Sequence, residues 1–149
     1  MFAEVMSEQV YHTYRLRLDA ALHIPTNASD LQIHELIVAR FSAASAMALY
    51  EQYTFSVSVL NKIIPMNRLC LRLGRGQRLT LGESDRLFRL AHVTALAEAV
   101  FGDKEKAQRW LNKPKQRFSS GKPIELLSTS QGTLLVEELL IEVYEGGTF

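Results

Sequence analysis

One cysteine, four prolines and no uninterrupted apolar run approaching eighteen residues set the first limits on this chain. A lone Cys70 excludes an internal disulfide framework and any C-x-x-C metal or redox site, and it fits a reducing compartment. Between Leu69 and Leu71 it reads as a small buried apolar residue. The N-terminus has no basic segment followed by an apolar stretch, so neither a signal peptide nor a membrane span is expected, and the expected address is cytoplasmic. Histidine is sparse. His12, His23, His34 and His92 form no HxxxH or HExxH pair that would set two imidazoles on one helix face, and each reads as exposed or internally hydrogen-bonded. Gly74-Arg75-Gly76 completes neither GxGxxG nor a GxxxxGK phosphate loop and reads as a basic turn. Glu137, Glu138, Glu142 and Glu145 recur at helical spacings that put most of them on one outer face, which suits a solvated or partner-binding surface better than acid/base chemistry. No catalytic residue, metal or cofactor is expected, and the chain is read as a non-enzyme.

What is present is an ordinary globular composition of 149 residues, 47% hydrophobic and 22% charged, enough to bury roughly two-thirds of the unfolded chain's surface. The formal net charge of +1 hides a segregation. Residues 1–53 carry three basic and six acidic side chains, 54–90 seven and two, 91–122 seven and three, and 123–149 none and five. A basic centre between acidic ends fits a polyanion-binding middle and a tail with another task; two differently charged solvated faces are the plainer reading.

From Ser42 onward the pattern is helical with short breaks, and the fold class is all-α. Ala46, Leu49, Tyr50 and Tyr53 recur at helical spacing, as do Val57, Leu60, Ile63 and Ile64. Pro65 stops the second helix, and a third piece from Asn67 to Leu73 ends at Gly74; three short helices with tight connections are a helix-turn-helix pattern. Thr80 and Glu83 have capping-box spacing, so a long helix starts there, with Leu87, Leu90, Ala91, Thr94, Ala97 and Phe101 as its buried stripe and Gly102 at its end. Asp103 caps a helix carrying Ala107, Trp110 and Leu111 inward and stopping before Pro114. Lys115 to Lys122 reads as a polar loop, Pro123 opens a turn through Leu127, and a last helix after Ser130 turns Leu135, Val136, Leu139, Leu140 and Val143 inward. Before residue 42, Val10, Tyr14, Leu18, Ala21 and Leu22 allow an amphipathic helix broken at Pro25. Leu36-Ile37-Val38 is read as helical rather than as a short strand.

The segment Leu96-Ala97-Glu98-Ala99-Val100-Phe101-Gly102-Asp103, then Ala107-x-x-Trp110-Leu111-x-x-Pro114, then Pro123-Ile124-Glu125-Leu126-Leu127, resembles the toxin-binding domain of the Xre/MbcA/ParS antitoxins. Gly132, Val136, Glu137, Leu140 and Gly146 fall in register with that family's final helix and its glycine-containing end, so the resemblance covers about residues 80–149. Gly82 to Leu87 resembles the helix that joins an Xre-type helix-turn-helix to this domain, which extends it back to about Ser42. The chain departs from the family where a usual glycine pair is Ser119-Ser120, where a usual turn glycine is Ile63, and where a usual arginine is Leu71. The resemblance implies three segments: an N-terminal extension at 1–41, an Xre-like DNA-binding module at 42–79 and a toxin-binding module at 80–149. It also implies a type II antitoxin that represses its own operon and neutralises a toxin, commonly one with a RES domain that depletes NAD.

The residues give their own candidates beside it. Asn67, Arg68 and Arg72 project from the third short helix, with side chains that read adenine and guanine edges; Lys62, Arg75 and Arg78 flank it and can hold phosphates. The same arginines could simply solubilise a short helix. Trp110 is open to a core or an interface role. Leu139, Glu142, Tyr144, Glu145, Gly146 and Phe149 form an acidic end with aromatic anchors, suited to entering a partner's cleft, unless that end has no role. The expected partners are a cognate toxin, operator DNA and a second copy of the chain, since helix-turn-helix readers usually act as dimers or within higher hetero-oligomers. The N-terminal segment or the 84–101 helix is the expected seam. A stand-alone repressor without a toxin, and an adaptor that has lost DNA binding, are the other readings.

Overall fold

Helices in this chain start where a side-chain oxygen can take up the first unpaired amides. The computed structural model describes residues 6–146, and among them lie eight α-helices and two short 3-10 turns. Ser7 Oγ accepts the Val10 N–H and opens α1 (Glu8–Leu22). Ser29 and Gln32 form a capping box on α2 (Asp30–Val38). Ser42 and Ser56 cap α3 (Ala43–Gln52) and α4 (Val57–Ile63), and Pro65 stands before α5 (Met66–Gly74). Thr80 and Glu83 make the expected capping box of α6 (Leu81–Phe101), Gly102 ends it with φ 69°, and Asp103 accepts two amides of α7 (Lys104–Leu111). After the 3-10 turns Gln116–Phe118 and Pro123–Ser128, Thr129 caps α8 (Ser130–Tyr144). The chain is all-α; among the described residues only two isolated bridges occur, Ser42 with Arg78 and Lys115 with Gly121.

α6 is the axis. Residues 91–99 are all buried, because α1 lies along α6 while α2, α4, α7, α8 and the second 3-10 turn close the remaining sides. A helix enclosed on every side needs short side chains where its neighbours come close, and Ala91, Ala95, Ala97 and Ala99 supply them. Tyr14, Leu18, Leu22 and Ile33 from α1 and α2 therefore share one core with Leu87, Leu96 and Leu140. The 84–101 stretch that was expected to offer a dimer seam is spent on this core. No described helix is long and apolar enough to cross a membrane.

Five side chains depart from the expected pattern. Cys70 is exposed: α5 packs chiefly on α3, so only Leu69 reaches the core while Cys70 and Leu71 rotate away from it. Leu135 is 41% exposed, because α8 meets its neighbours along the narrower stripe of Gly132, Val136, Leu139 and Leu140. Phe101 and Val143, expected inward, are half-buried. Glu137 leaves the outer acidic face to meet His92.

Candidate functional site

The α4–α5 turn is held from two sides. The Tyr50 hydroxyl donates to the Ile64 carbonyl (2.9 Å) and accepts the Ile64 N–H (3.2 Å), while Arg86 of α6 donates from Nε to the Ile63 carbonyl (2.9 Å). Burial pushes the Tyr50 phenol up to about 12, so it stays protonated and able to donate. Ile63, where the resemblance expects a glycine, thus ends α4 with its carbonyl held by Arg86.

The six residues expected to meet DNA do not share one environment. Asn67, Arg68 and Arg75 are exposed. Arg72 is drawn inward, its Nε 2.8 Å from Glu83 Oε1, with the N–H off the line to the oxygen; Arg68 reaches toward the other Glu83 oxygen at 4.0 Å. Lys62 stands 3.5 Å from Glu125, and Arg78 donates to the Arg40 carbonyl (2.7 Å). Glu83 is 2% exposed. Burial raises its pKa, but the hydrogen bond from the Thr80 backbone N–H and the Arg72 guanidinium beside it outweigh that and hold the carboxyl below its ordinary value. Glu83 is therefore both the capping residue of α6 and the anchor of α5. Its spacing to Thr80 is visible in the sequence; its pairing with Arg72 is not.

The residues expected to meet a partner divide likewise. Trp110 and Leu139 are buried, Tyr144 is half-buried, and Glu142, Glu145 and Gly146 are exposed; Phe149 lies outside the described residues. The Tyr144 hydroxyl accepts the Ser7 N–H (2.9 Å), which roots the end of α8 against the start of α1. Glu142 pairs with Arg117. Around Trp110 a cleft of about 650 Å³ is lined by residues of α6, α7 and α8 and by Lys113 and Lys115. The Phe101 and Trp110 ring centroids are 5.9 Å apart, and Lys115 Nζ sits 4.7 Å over the Trp110 ring. Neither the cleft nor its cations were singled out from sequence, although Lys106, Arg109 and Lys113 recur three and four apart around Trp110.

Two buried polar groups on α6 complete the picture. The Tyr14 hydroxyl lies 2.6 Å from His92 Nδ1 and His92 Nε2 lies 2.7 Å from Glu137 Oε1, with Phe88 stacked on the imidazole. Burial pushes the Tyr14 phenol well up, so its hydroxyl keeps its proton, and the imidazole bridges Tyr14 of α1 to Glu137 of α8. Glu98, 2% exposed, accepts from Tyr53 (2.9 Å) with Arg17 at 3.9 Å, and burial raises its pKa. These networks tie α1 and the α3–α4 connection to α6, and α6 to α8. Among the described residues no three His, Cys, Asp or Glu gather as metal ligands.

Residues 96–146 match the family described as the antitoxin Xre/MbcA/ParS C-terminal toxin-binding domain. Over 146 residues the chain is 50% identical to a protein of Pseudomonas putida named Antitoxin Xre, a match covering 98% of this chain and 92% of that protein.

Proposed function

Because this chain belongs to the Xre/MbcA/ParS family of antitoxins, we propose that its toxin is a RES-type, NAD-depleting protein whose active site it covers with its C-terminal end. We propose further that it represses its own operon through the 42–79 module, as a homodimer or a larger complex with the toxin. The chain acts by binding, in the cytoplasm.

The observation that carries the first part is the charge and anchoring of the end of α8. From residue 123 onward there are five acidic side chains and no basic one. Such an end is repelled by nucleic acid and attracted to a cationic cleft, the kind that holds the phosphates of NAD. Tyr144 fixes its root through Ser7, and Gly146, with φ 96°, takes a backbone path that a side chain would disfavour. Leu139 and Trp110 act from within by holding α8 and α7 in place.

Deleting residues 145–149 is expected to restore growth arrest by the co-expressed toxin while leaving thermal unfolding unchanged. Protection by the truncated chain equal to that of the full chain would show that another surface does the blocking. For the DNA part, Asn67, Arg68 and Arg75 are the exposed readers or phosphate contacts, Lys62 and Arg78 sit beside them, and Arg72 positions α5. Arg68→Ala should cost about 1–3 kcal/mol on the upstream DNA in a gel shift, with affinity falling steeply as salt rises. Salt-independent binding, or none, would remove this half of the function.

A further inference from the structure

The cleft beside Trp110 gathers cations that form no ion pair among the described residues. Lys106, Arg109, Lys113 and Lys115 line it with Trp110 and Tyr144, and no acidic side chain is among its lining residues. None of the four cations forms an ion pair with a described residue. On the neighbouring acidic helix, Glu142 turns to Arg117 and Glu137 to His92. Burial, and then the nearby Lys113, push the Lys115 ammonium below its ordinary value. The Trp110 indole nitrogen, closed off from solvent, has no hydrogen-bond partner among the described residues.

Electrostatic complementarity then dictates the occupant: it must be acidic, and its apolar part must suit the half-buried Val100, Phe101 and Val143 of the wall. All the lining residues fall inside the segment that matches the toxin-binding domain. Duplex DNA fits less well. The cleft is at the end of α6 marked by Phe101, roughly 25 Å along the helix from Glu83 and the α5 surface, and an aromatic floor does nothing for a phosphate.

We propose that this cleft receives an acidic segment of the toxin, whose carboxylates meet Lys106, Arg109 and Lys113 while an apolar side chain lies against Val100, Phe101 and Val143. The inference rests on the reading that the chain binds a toxin, and it adds a second seat beside the C-terminal end. The partner's footprint is thereby bipolar: a cationic pocket for the end of α8 and an acidic segment for the cleft. Contacts of this kind act most on the association rate and weaken with salt.

The test uses the full-length chain and the purified product of the neighbouring toxin gene. Lys106 and Lys113 are exposed, so the double variant Lys106→Glu/Lys113→Glu should unfold at the wild-type temperature. It should bind toxin at least tenfold more weakly near physiological salt, chiefly through slower association, with the gap narrowing at high salt. A fluorine label on Trp110, the chain's single tryptophan, should shift when wild type binds toxin. Wild-type affinity in the double variant together with an unmoved label would overturn the proposal and leave toxin binding standing. A wild-type chain that does not bind the toxin would remove both. A charge reversal that weakens only binding to duplex DNA would assign the cleft to phosphates and also overturn it.

Discussion

Gly132→Ala is the substitution that most directly probes how the final helix is seated. Gly132 lies in the first turn of α8, where its N–H is received by Thr129 Oγ1 (2.9 Å) and its Cα faces the second 3-10 turn. A Cβ built there would stand 2.1 Å from the Leu126 carbonyl oxygen and 3.0 Å from both the Leu126 carbonyl carbon and Thr129 Oγ1. The obstacle is backbone, so no rotamer change relieves it. Either the turn Pro123–Ser128 moves by about an ångström or the start of α8 lifts away, loosening Val136 and Leu140 from the core. Overpacking of this kind costs about 1–3 kcal/mol and sometimes more, against a gain of up to about 1 kcal/mol from replacing a helical glycine. A net loss of about 2 kcal/mol should lower the melting temperature by roughly 4–8 °C in a chain of this size. Gly74→Ala is the control, because a Cβ there meets nothing within 4 Å. Thermal and urea unfolding of the two variants decide the matter. Equal stability of Gly132→Ala and Gly74→Ala would refute the argument that glycine is required by this close approach.

Backbone strain and buried charge set three further outcomes. Ser119 and Ser120 hold φ 54° and 66°, where the family has a glycine pair, so Ser119→Gly/Ser120→Gly should stabilise the chain by about 1 kcal/mol, read as a higher melting temperature; a lower one would mean that the serine side chains contribute more than the strain costs. Glu83→Gln keeps an acceptor for the Thr80 N–H but removes the charge facing Arg72, and should cost about 1–2 kcal/mol at pH 7. Since the folded carboxyl titrates below its ordinary value near 4.5, that stability is present above about pH 4.5 and is lost as pH falls through the folded pKa, so the wild type and Glu83→Gln should converge in acid. Glu98 has the opposite sign: its raised pKa gives a contribution present below about 4.5 and lost as pH rises through the folded value, so Glu98→Gln should equal or exceed wild-type stability at pH 7 in urea titrations.

Local chemistry was legible in the sequence wherever it acts within one turn. The Thr80–Glu83 box, Asp103 as a cap, Gly102 as a terminator and Pro123 at the head of a turn are choices made between residues one to four apart, and each appears as expected. The same signal at Ser29 and Gln32 was available to fix the start of α2. Contacts between distant residues carry no such signature. Arg72 looks like a base reader because it projects from a short basic helix, yet the fold sets Glu83 against it. The inward width of α8 depends on which helices cover it, and hydrophobicity alone could not show that Leu135 lies beyond that cover. The cleft has the same origin: its cations are scattered over α7 and the residues after it, and only the packing of α6 against α7 and α8 gives them a common wall.

α6 joins the two proposed surfaces as one piece. Its first turns hold the helix-turn-helix unit, through Glu83 to Arg72 and Arg86 to the Ile63 carbonyl, and its last turn floors the cleft with Val100 and Phe101. Twenty-one residues of helix span roughly 30 Å, and nine consecutive buried positions at its centre leave no exposed hinge between the ends. No break therefore separates the α4–α5 unit from the cleft among the described residues, and the orientation of α5 is set by the same core that seats α7 and α8. A toxin bound at the far end cannot swing the proposed DNA face relative to its own chain. It can change operator binding only by altering how copies of the chain are spaced, or by placing the toxin's own bulk and charge near the duplex. Any conditional repression by this antitoxin then belongs to the assembly of chains.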